Sequence, residues 1–172
     1  GYCAVYDRLK DMNGVNMIAD IGNGTMNIMK VIDHKVITDS CRTEKLGVEK
    51  CVIEIRNALM NKFHEDIDES IIKKFLMNTE QELPQDYEKV MRSCTEEYCK
   101  SILNALYKYD YNSRLMKLYV VGGGAVVMNN HNVNPPGATF ITDVCANAKG
   151  YECQAKRKLR KGANDKDNKS QA

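Results

Sequence analysis

Hydrophobic and polar residues alternate with a period of two in three short segments near the start of the chain. Residues 16–21 are short and apolar apart from Asp20, residues 25–32 alternate regularly, and residues 35–39 form a third run. Alternation of this kind predicts β-strands, and the two-residue connection Asp33-His34 predicts a tight turn between the second and the third. We therefore expect three consecutive antiparallel strands.

A helical period near 3.6 marks most of the remaining chain. The clearest segment carries Val48, Val52, Ile55, Leu59 and Phe63 on one face, which is typical of an amphipathic helix. Pro84 is well placed to start the longest helix. Helices are predicted over residues 2–9, 48–63, 67–78, 86–109 and 147–159.

Two further strands are predicted in the second half of the chain. Residues 115–121 are apolar apart from Lys117 and run directly into three glycines, and residues 138–142 form the last strand. Between them we expect a short helix over 125–128 and a loop over 129–137. The sequence therefore predicts an α/β domain with a mixed sheet, antiparallel at first and then extended by two strands that are each reached through helices.

Length and composition are those of one ordinary globular domain, or of two small domains that share a core. A net charge of +2 gives no strong preference for acidic or basic partners. No apolar run approaches the roughly 20 residues of a membrane span, and the first residues do not resemble a signal peptide. We therefore expect a cytoplasmic protein without a membrane partner. Because the chain opens inside a predicted helix without a methionine, we also expect the protein to begin earlier.

The seven cysteines are odd in number and contain no C-x-x-C pair, and the three histidines are scattered. These spacings do not match a zinc site. We expect reduced thiols that are buried as small hydrophobic side chains.

A glycine-rich turn, Gly22-Asn23-Gly24, joins the first two predicted strands. Its glycines can adopt positive φ, which would leave backbone N–H groups pointing into a concavity. Asp20 and Thr25 lie at the two rims of the turn. A carboxylate, amides and a hydroxyl suit a phosphate with its magnesium ion. The same residues also suit a purely structural hairpin, so both interpretations remain open on these residues alone.

A second glycine turn, residues 122–124, also follows an apolar strand. In open α/β sheets, ligands bind beyond the carboxyl ends of the strands. The two turns could therefore converge on one nucleotide. The first would hold phosphates, and the second would let the backbone approach ribose or adenine.

These motifs carry a family resemblance. D-I-G-N-G-T-M-N at 20–27 resembles the second phosphate motif of the actin and heat-shock chaperone ATPase superfamily, and V-V-G-G-G-A at 120–125 resembles its adenosine motif. F-I-T-D-V-C-A-N-A-K-G-Y-E at 140–152 is similar to the C-terminal strand and helix of the ParM/StbA group of bacterial actin-like plasmid-segregation ATPases. G-Y-C-A-V-Y at 1–6 resembles the helix that precedes the second phosphate motif in that group.

The resemblance implies a ribonuclease H-like fold in which residues 1–159 form the C-terminal half of an actin-like ATPase. Residues from about 63 to 84 would be a small inserted helical subdomain that faces a neighbouring subunit along a filament. Residues 160–172 would be a polar, disordered tail. The first phosphate motif and the residue that positions the attacking water would lie outside this chain. The chain alone is therefore not expected to hydrolyse ATP efficiently.

The resemblance also assigns roles to individual residues. Asp20 would be the catalytic residue that orients the magnesium ion, through water. The β- and γ-phosphates would lie on Gly22, Asn23, Gly24 and Thr25. The nucleoside would face Gly122, Gly123 and Gly124, and the adenosine-pocket candidates are Glu44, Lys45, Glu49 and Lys50, with Lys45 and Glu49 preferred. The implied cofactors are ATP or ADP and Mg²⁺, and the implied partners are further copies in a filament and a DNA-bound adaptor.

Two other functions remain open. One is an assembly or binding module on the same fold with a degenerate site and no turnover. The other is half of a sugar or acetate kinase, which shares the superfamily fold. Basic residues over 156–161 could touch DNA, but a solvated helix end explains them, and no interleaved aromatic residues support stacking on bases. Direct DNA contact is therefore not expected.

Overall fold

The computed structural model describes residue 5, residues 12–143, residue 145, residues 148–153 and residues 155 and 156. These residues form five strands and four helices of defined extent. The strands are β1 (Val15–Ile21), β2 (Met26–Ile32), β3 (Lys35–Glu44), β4 (Met116–Val121) and β5 (Ala138–Ile141). The helices are α1 (Val48–Phe63), α2 (Glu69–Leu76), α3 (Gln85–Lys108) and α4 (Gly123–Asn130).

The five strands form one sheet in the order β3-β2-β1-β4-β5. β1 pairs antiparallel with β2, and β2 with β3, whereas β4 is parallel to both β1 and β5. The predicted mixed sheet is therefore confirmed. Because β1 and β4 are parallel neighbours, their carboxyl ends lie side by side, and Asp20 is in register with both Asn27 of β2 and Val121 of β4.

The two faces of the sheet bury different sets of side chains, because successive side chains of a strand point to opposite faces. On β1, Met17, Ala19 and Ile21 belong to the main core, together with the buried faces of α1, α2, α3 and α4. Ile18 belongs to a second cluster on the other face. That cluster consists of Val5, Met12, Ile18, Val31, Tyr119, Val121 and Ile141.

The structure corrects the predicted end of β3. The third strand was predicted to end at residue 39, but Arg42, Thr43 and Glu44 pair with the first residues of β2. The register shifts between Ile28 and Lys30, and the hydroxyl of Ser40 accepts a hydrogen bond from the Lys30 N–H at 2.8 Å. β3 is an edge strand with most side chains exposed, so hydrophobic alternation does not mark its second half.

The bounds of α4 also differ from the prediction. The helix begins at Gly123, not at residue 125, and it includes Asn129 and Asn130, which were expected to be loop. Gly122, with φ of 84°, is the residue before its first turn. At the other end, the amide of Asn130 donates a hydrogen bond to the carbonyl oxygen of Leu76 at 3.2 Å. Contacts between distant segments thus extend this helix at both ends.

The segment between α1 and α3 contains one short helix. α2 begins after Asp68, whose carboxylate accepts a hydrogen bond from the N–H of Ser70 at 2.8 Å. This helix is therefore shorter than the predicted 67–78. Its buried residues Ile72, Phe75 and Leu76 join the main core. The assignment of residues 63–84 as an inserted subdomain stays a prediction.

Several predictions concern residues near the chain ends. The opening helix lies outside the described residues except for Val5, which is buried, and the tail 160–172 lies outside them as well. Residues 148–153, 155 and 156 are helical, in agreement with part of the closing helix. In the part of the chain that the structure describes, each helix is too short or too polar to cross a bilayer.

Cysteine burial is mixed. Cys51 and Cys99 are buried as expected, whereas Cys41 and Cys145 are exposed, so the expectation of buried thiols is wrong for these two. Cys41 lies on the exposed edge strand β3, and Cys145 follows the sheet beyond β5.

Candidate functional site

Three segments meet at the carboxyl ends of β1 and β4: the turn of residues 22–25, the turn of residues 122–124, and the start of α1. A β-carbon on Gly122 would lie 2.5 Å from the carbonyl oxygen of Ile21 and 3.3 Å from Oδ1 of Asp20. One on Gly123 would lie 3.4 Å from Cγ2 of Val48. The two glycine turns are thus neighbours, as the sequence predicts.

The first turn is closed by a hydrogen bond from the N–H of Gly22 to the carbonyl oxygen of Thr25 at 2.9 Å. The described glycines with positive φ are Gly14, Gly122 and Gly137, so the expectation that Gly22 and Gly24 use the left-handed region is wrong. None of the four residues of this turn has a positive φ. The fold therefore does not require glycine here for its conformation.

The first turn offers unpaired donors beneath open space. Among the described residues, the N–H groups of Asn23, Gly24 and Thr25 have no acceptor. A β-carbon on Gly24 would meet nothing within 4 Å, and one on Gly22 would meet only the Thr25 carbonyl oxygen at 3.7 Å. Successive backbone N–H groups in a turn can form a concavity that suits an anion. Neither glycine is explained by packing within the described chain.

The turn is fixed to the first turn of α1. The N–H of Val48 donates to the carbonyl oxygen of Gly22 at 3.0 Å, and the N–H of Glu49 donates to that of Asn23 at 2.9 Å. A β-carbon on Gly47 would lie only 2.0 Å from the Asn23 carbonyl oxygen. Two of the donors at the helix N-terminus are therefore used by the turn and are not available to a ligand.

Gly47 is a residue that the sequence reasoning missed. It precedes the first residue of α1 and provides no side-chain cap for the helix. Helices usually have Ser, Thr, Asp or Asn at that position. Glycine is also common at that position, so the sequence carried no specific signal for the close approach of another backbone segment.

Asp20 lies near the end of β1 and is half-buried. By the period of two, its side chain shares the sheet face of Ile18, opposite the main core. The closeness of its Oδ1 to Gly122 places the carboxylate beside the second glycine turn. Thr25 is exposed at the other rim of the first turn.

The adenosine-pocket candidates have different surroundings. Glu44 accepts hydrogen bonds from the Tyr109 hydroxyl at 2.5 Å and from the Lys108 ammonium at 3.0 Å. These two hydrogen bonds lower the pKa of Glu44, and the bond from Tyr109 has the larger effect. Lys50 pairs with Glu54 on the same helix. Both side chains are thus already engaged at the protein surface.

The two preferred candidates also differ. Glu49 accepts a hydrogen bond from the side-chain amide of Asn23 at 3.1 Å, so its side chain lies at the first glycine turn. Lys45 is exposed, and among the described residues it has no ion-pair partner. The structure therefore brings Glu49 to the first turn. The roles of both residues towards a nucleoside stay predictions.

The second glycine turn has a packing explanation. Gly122 has positive φ, and a β-carbon on Gly124 would lie 2.3 Å from Cγ2 of Ile21. These glycines let the first turn of α4 pack directly on the end of β1. Their presence is thus explained by packing, unlike that of Gly22 and Gly24, and their contact with a nucleoside stays a prediction.

The sequence matches the family model of archaeal MreB-like actin homologues, C-terminal domain, over residues 18–132. That range is 115 of 172 residues, about two thirds of the chain, and it contains both glycine turns. The chain belongs to this family. Among curated proteins, none matches the sequence.

Solved actin homologues share the fold. The archaeal actin homologue Ta0583 superposes with a TM-score of 0.70 at 15% identity, and the match covers 90% of this chain and 52% of Ta0583. In the complex of Ta0583 with ADP, the match covers 56% of that protein. ParM of Bacillus thuringiensis with ATP gives a TM-score of 0.59 at 16% identity, covering 80% of this chain and 45% of that one. A non-polymerisable quadruple mutant of pCBH ParM gives 0.71 at 18%, covering 91% and 53%.

These likenesses establish the fold of an actin-like ATPase domain. At such low identity they do not transfer an activity. The chain spans about half the length of the actin homologues that it matches.

Proposed function

We propose that this chain is the C-terminal, nucleotide-binding half of an ATP-dependent actin homologue of the ParM/StbA type. The observation that carries the proposal is the set of three N–H groups at residues 23–25 that have no acceptor among the described residues, in a turn where a β-carbon on Gly24 would enter open space. An anion on these amides would satisfy the donors and would explain glycine at 22 and 24. The solved relatives with bound ADP and ATP support a nucleotide as that anion.

The residues present also fit a magnesium ion. Mg²⁺ in nucleotide sites is usually held by one or two carboxylates together with phosphate oxygens and water. Asp20 is such a carboxylate, and its Oδ1 lies close to Gly122. Asp20 would therefore orient the ion and its waters, and the bound ion would offset phosphate charge.

Hydrolysis and assembly belong to the whole protein in this proposal. The other half would supply the first phosphate turn and the group that positions the attacking water. Filaments would form with ATP and would move plasmid or mobile-element DNA through an adaptor, and residues 63–84 would face the next subunit. The non-polymerisable variant of pCBH ParM supports assembly, because such a variant implies a parent that polymerises.

The test is a titration of this chain with Mg-ATP and with Mg-ADP up to millimolar concentration, followed by the amide chemical shifts of residues 20–25 and 120–125. We expect weak binding that shifts both turns. Asp20→Asn and Gly24→Ala should each weaken binding about tenfold or more, which corresponds to about 1.4 kcal/mol. Asp39→Asn, which removes an exposed carboxylate from edge strand β3, is the matched control and should bind as the unsubstituted chain does.

Two results would contradict the proposal. One is the absence of shifts at both turns at millimolar nucleotide. The other is unchanged affinity in both Asp20→Asn and Gly24→Ala.

A further inference from the structure

We propose that Glu49 is a specificity-determining residue that lowers the affinity of the site for ATP relative to ADP. This inference rests on the proposed nucleotide function. It follows from the place of the Glu49 carboxylate, which is held at the phosphate turn by the side chain of Asn23.

Two hydrogen bonds join Glu49 to Asn23. The side-chain amide of Asn23 donates to Oε2 of Glu49 at 3.1 Å, and the backbone N–H of Glu49 donates to the carbonyl oxygen of Asn23 at 2.9 Å. The close approach of Gly47 to the same carbonyl group fixes the helix against the turn. The helix start and the hydrogen bond from Asn23 therefore place the carboxylate beside the turn.

The negative charge of Glu49 is not cancelled by a direct cation. Among the described residues, none of the ion pairs includes Glu49. Lys50 next to it pairs with Glu54. Lys73 of α2 is close enough for Glu49 to help raise its pKa, but the main cause of that shift is its hydrogen bond to Glu69. Glu49 thus contributes a net negative charge beside the turn.

That charge acts on any anion bound to the turn. Asn23 contacts Glu49 with its side chain and offers its own N–H to the site, so the anion lies within about 10 Å of the carboxylate, roughly one Debye length at 0.1 M salt. ATP carries one more negative charge than ADP. At about 8 Å the added repulsion weakens binding from about twofold with the dielectric constant of water to about thirtyfold with an effective constant of about 20.

The decisive variant is Glu49→Gln, which keeps an oxygen acceptor for the Asn23 amide and removes the charge. We expect the ratio of ATP affinity to ADP affinity to rise by about threefold or more, within the range given by the Coulomb estimate. Glu49→Asp keeps the charge and should leave the ratio close to that of the unsubstituted chain. The matched control is Glu54→Gln, which makes the same change five residues further along α1, where Lys50 is the partner.

Salt separates a charge effect from a structural one. The increase in the ratio of ATP affinity to ADP affinity caused by Glu49→Gln should be smaller at 500 mM than at 20 mM sodium chloride, because the Debye length falls from about 20 Å to about 4 Å. The affinities of all four chains are measured by titration with Mg-ATP and Mg-ADP at both salt concentrations.

The outcomes distinguish the two proposals. If the unsubstituted chain binds nucleotide but the ratio of ATP affinity to ADP affinity is the same in Glu49→Gln and Glu54→Gln, the role of Glu49 is overturned. Nucleotide binding by the chain is then still supported. A changed ratio that does not respond to salt also overturns it, since the effect is then structural. No binding by the unsubstituted chain overturns the nucleotide function and this inference together.

Discussion

Gly47 lies against the backbone of Asn23 so closely that a β-carbon on Gly47 would be 2.0 Å from the Asn23 carbonyl oxygen. The contact joins the hairpin turn to α1, and the hydroxyl of Tyr98 supports it from α3 by donating a hydrogen bond to the carbonyl oxygen of Leu46 at 3.1 Å. The shape of the turn therefore depends on residues that are distant in the sequence.

We expect Gly47→Ala to destabilise the domain by about 2–3 kcal/mol, because the added methyl group overlaps backbone atoms that cannot move without breaking the turn. Urea unfolding measures the change. Gly24→Ala is the control for stability, since its β-carbon enters open space, and it should change the unfolding free energy by less than about 1 kcal/mol. Equal stabilities of the two variants would contradict the close approach.

A second prediction concerns the packing of α4 on β1. In Gly124→Ala the new methyl group would meet the Ile21 side chain at 2.3 Å, so we expect a loss of about 1–3 kcal/mol in the free energy of unfolding. Ile21→Ala alone should also destabilise, because it empties core volume. In the double variant the two losses should not add, because the alanine at 21 removes part of the collision. Strict additivity would show that the collision does not occur.

The pH dependence of stability should include a contribution from His131. Burial, and then the positive charge of Arg92, lower the pKa of this imidazole below its usual 6.5, although Glu96 opposes the shift. As the pH falls below about 6.5, the unfolded chain binds a proton that the folded chain does not bind, so this contribution to stability is present above 6.5 and is lost as the pH falls.

The measurement is the free energy of unfolding at pH 7.5 and at pH 5.0. We expect the loss between the two to be smaller in His131→Gln than in the unsubstituted chain. Gly24→Ala, which changes no titratable group, serves as the control and should show the same loss as the unsubstituted chain. An equal or greater loss in His131→Gln would contradict the direction of the shift.

Thiol reactivity should separate the cysteines into two classes. Burial raises the pKa of Cys51 and of Cys99 to about 12, and only the thiolate is nucleophilic. At pH 8 we therefore expect iodoacetamide to modify the exposed Cys41 and Cys145 in the native protein, and Cys51 and Cys99 only in denaturant. Peptide mass spectrometry measures each site. Comparable native rates at Cys51 and Cys41 would contradict the structure.

The elements that the sequence predicted well are those with one clear environment. α1 spans Val48–Phe63 as predicted, because its apolar face packs on a single core. β1 and β4 agree to within one residue, since both are apolar runs buried in the centre of the sheet. Here the local pattern and the tertiary environment favour the same structure.

The predicted bounds are wrong where tertiary contacts determine the secondary structure. The second half of β3 is exposed and lacks alternation, so only its pairing with β2 defines it. α4 begins at Gly123 although glycine is a poor helix former, because Gly124 must pack on Ile21. Local propensity cannot reveal either contact.

For the candidate site, too, the sequence predicted some features and not others. Glycine turns and an aspartate at a strand end are visible in the sequence, so both turns and Asp20 could be identified. The bond between Asn23 and Glu49 and the contact of Gly47 were not visible, because they join segments about 25 positions apart. How the two segments meet in space follows from the fold and not from either motif.

The parallel pairing of β1 with β4 has a consequence during synthesis. Ile21 ends β1 and Met116 begins β4, so 95 positions separate the two strands. At roughly 5–20 residues per second, about 5–20 s pass between their appearance from the ribosome. During that interval the hairpins of β1, β2 and β3 present an apolar strand with an open edge, which is a template for pairing with other chains. The nascent protein is thus most exposed to aggregation before α3 and β4 are complete.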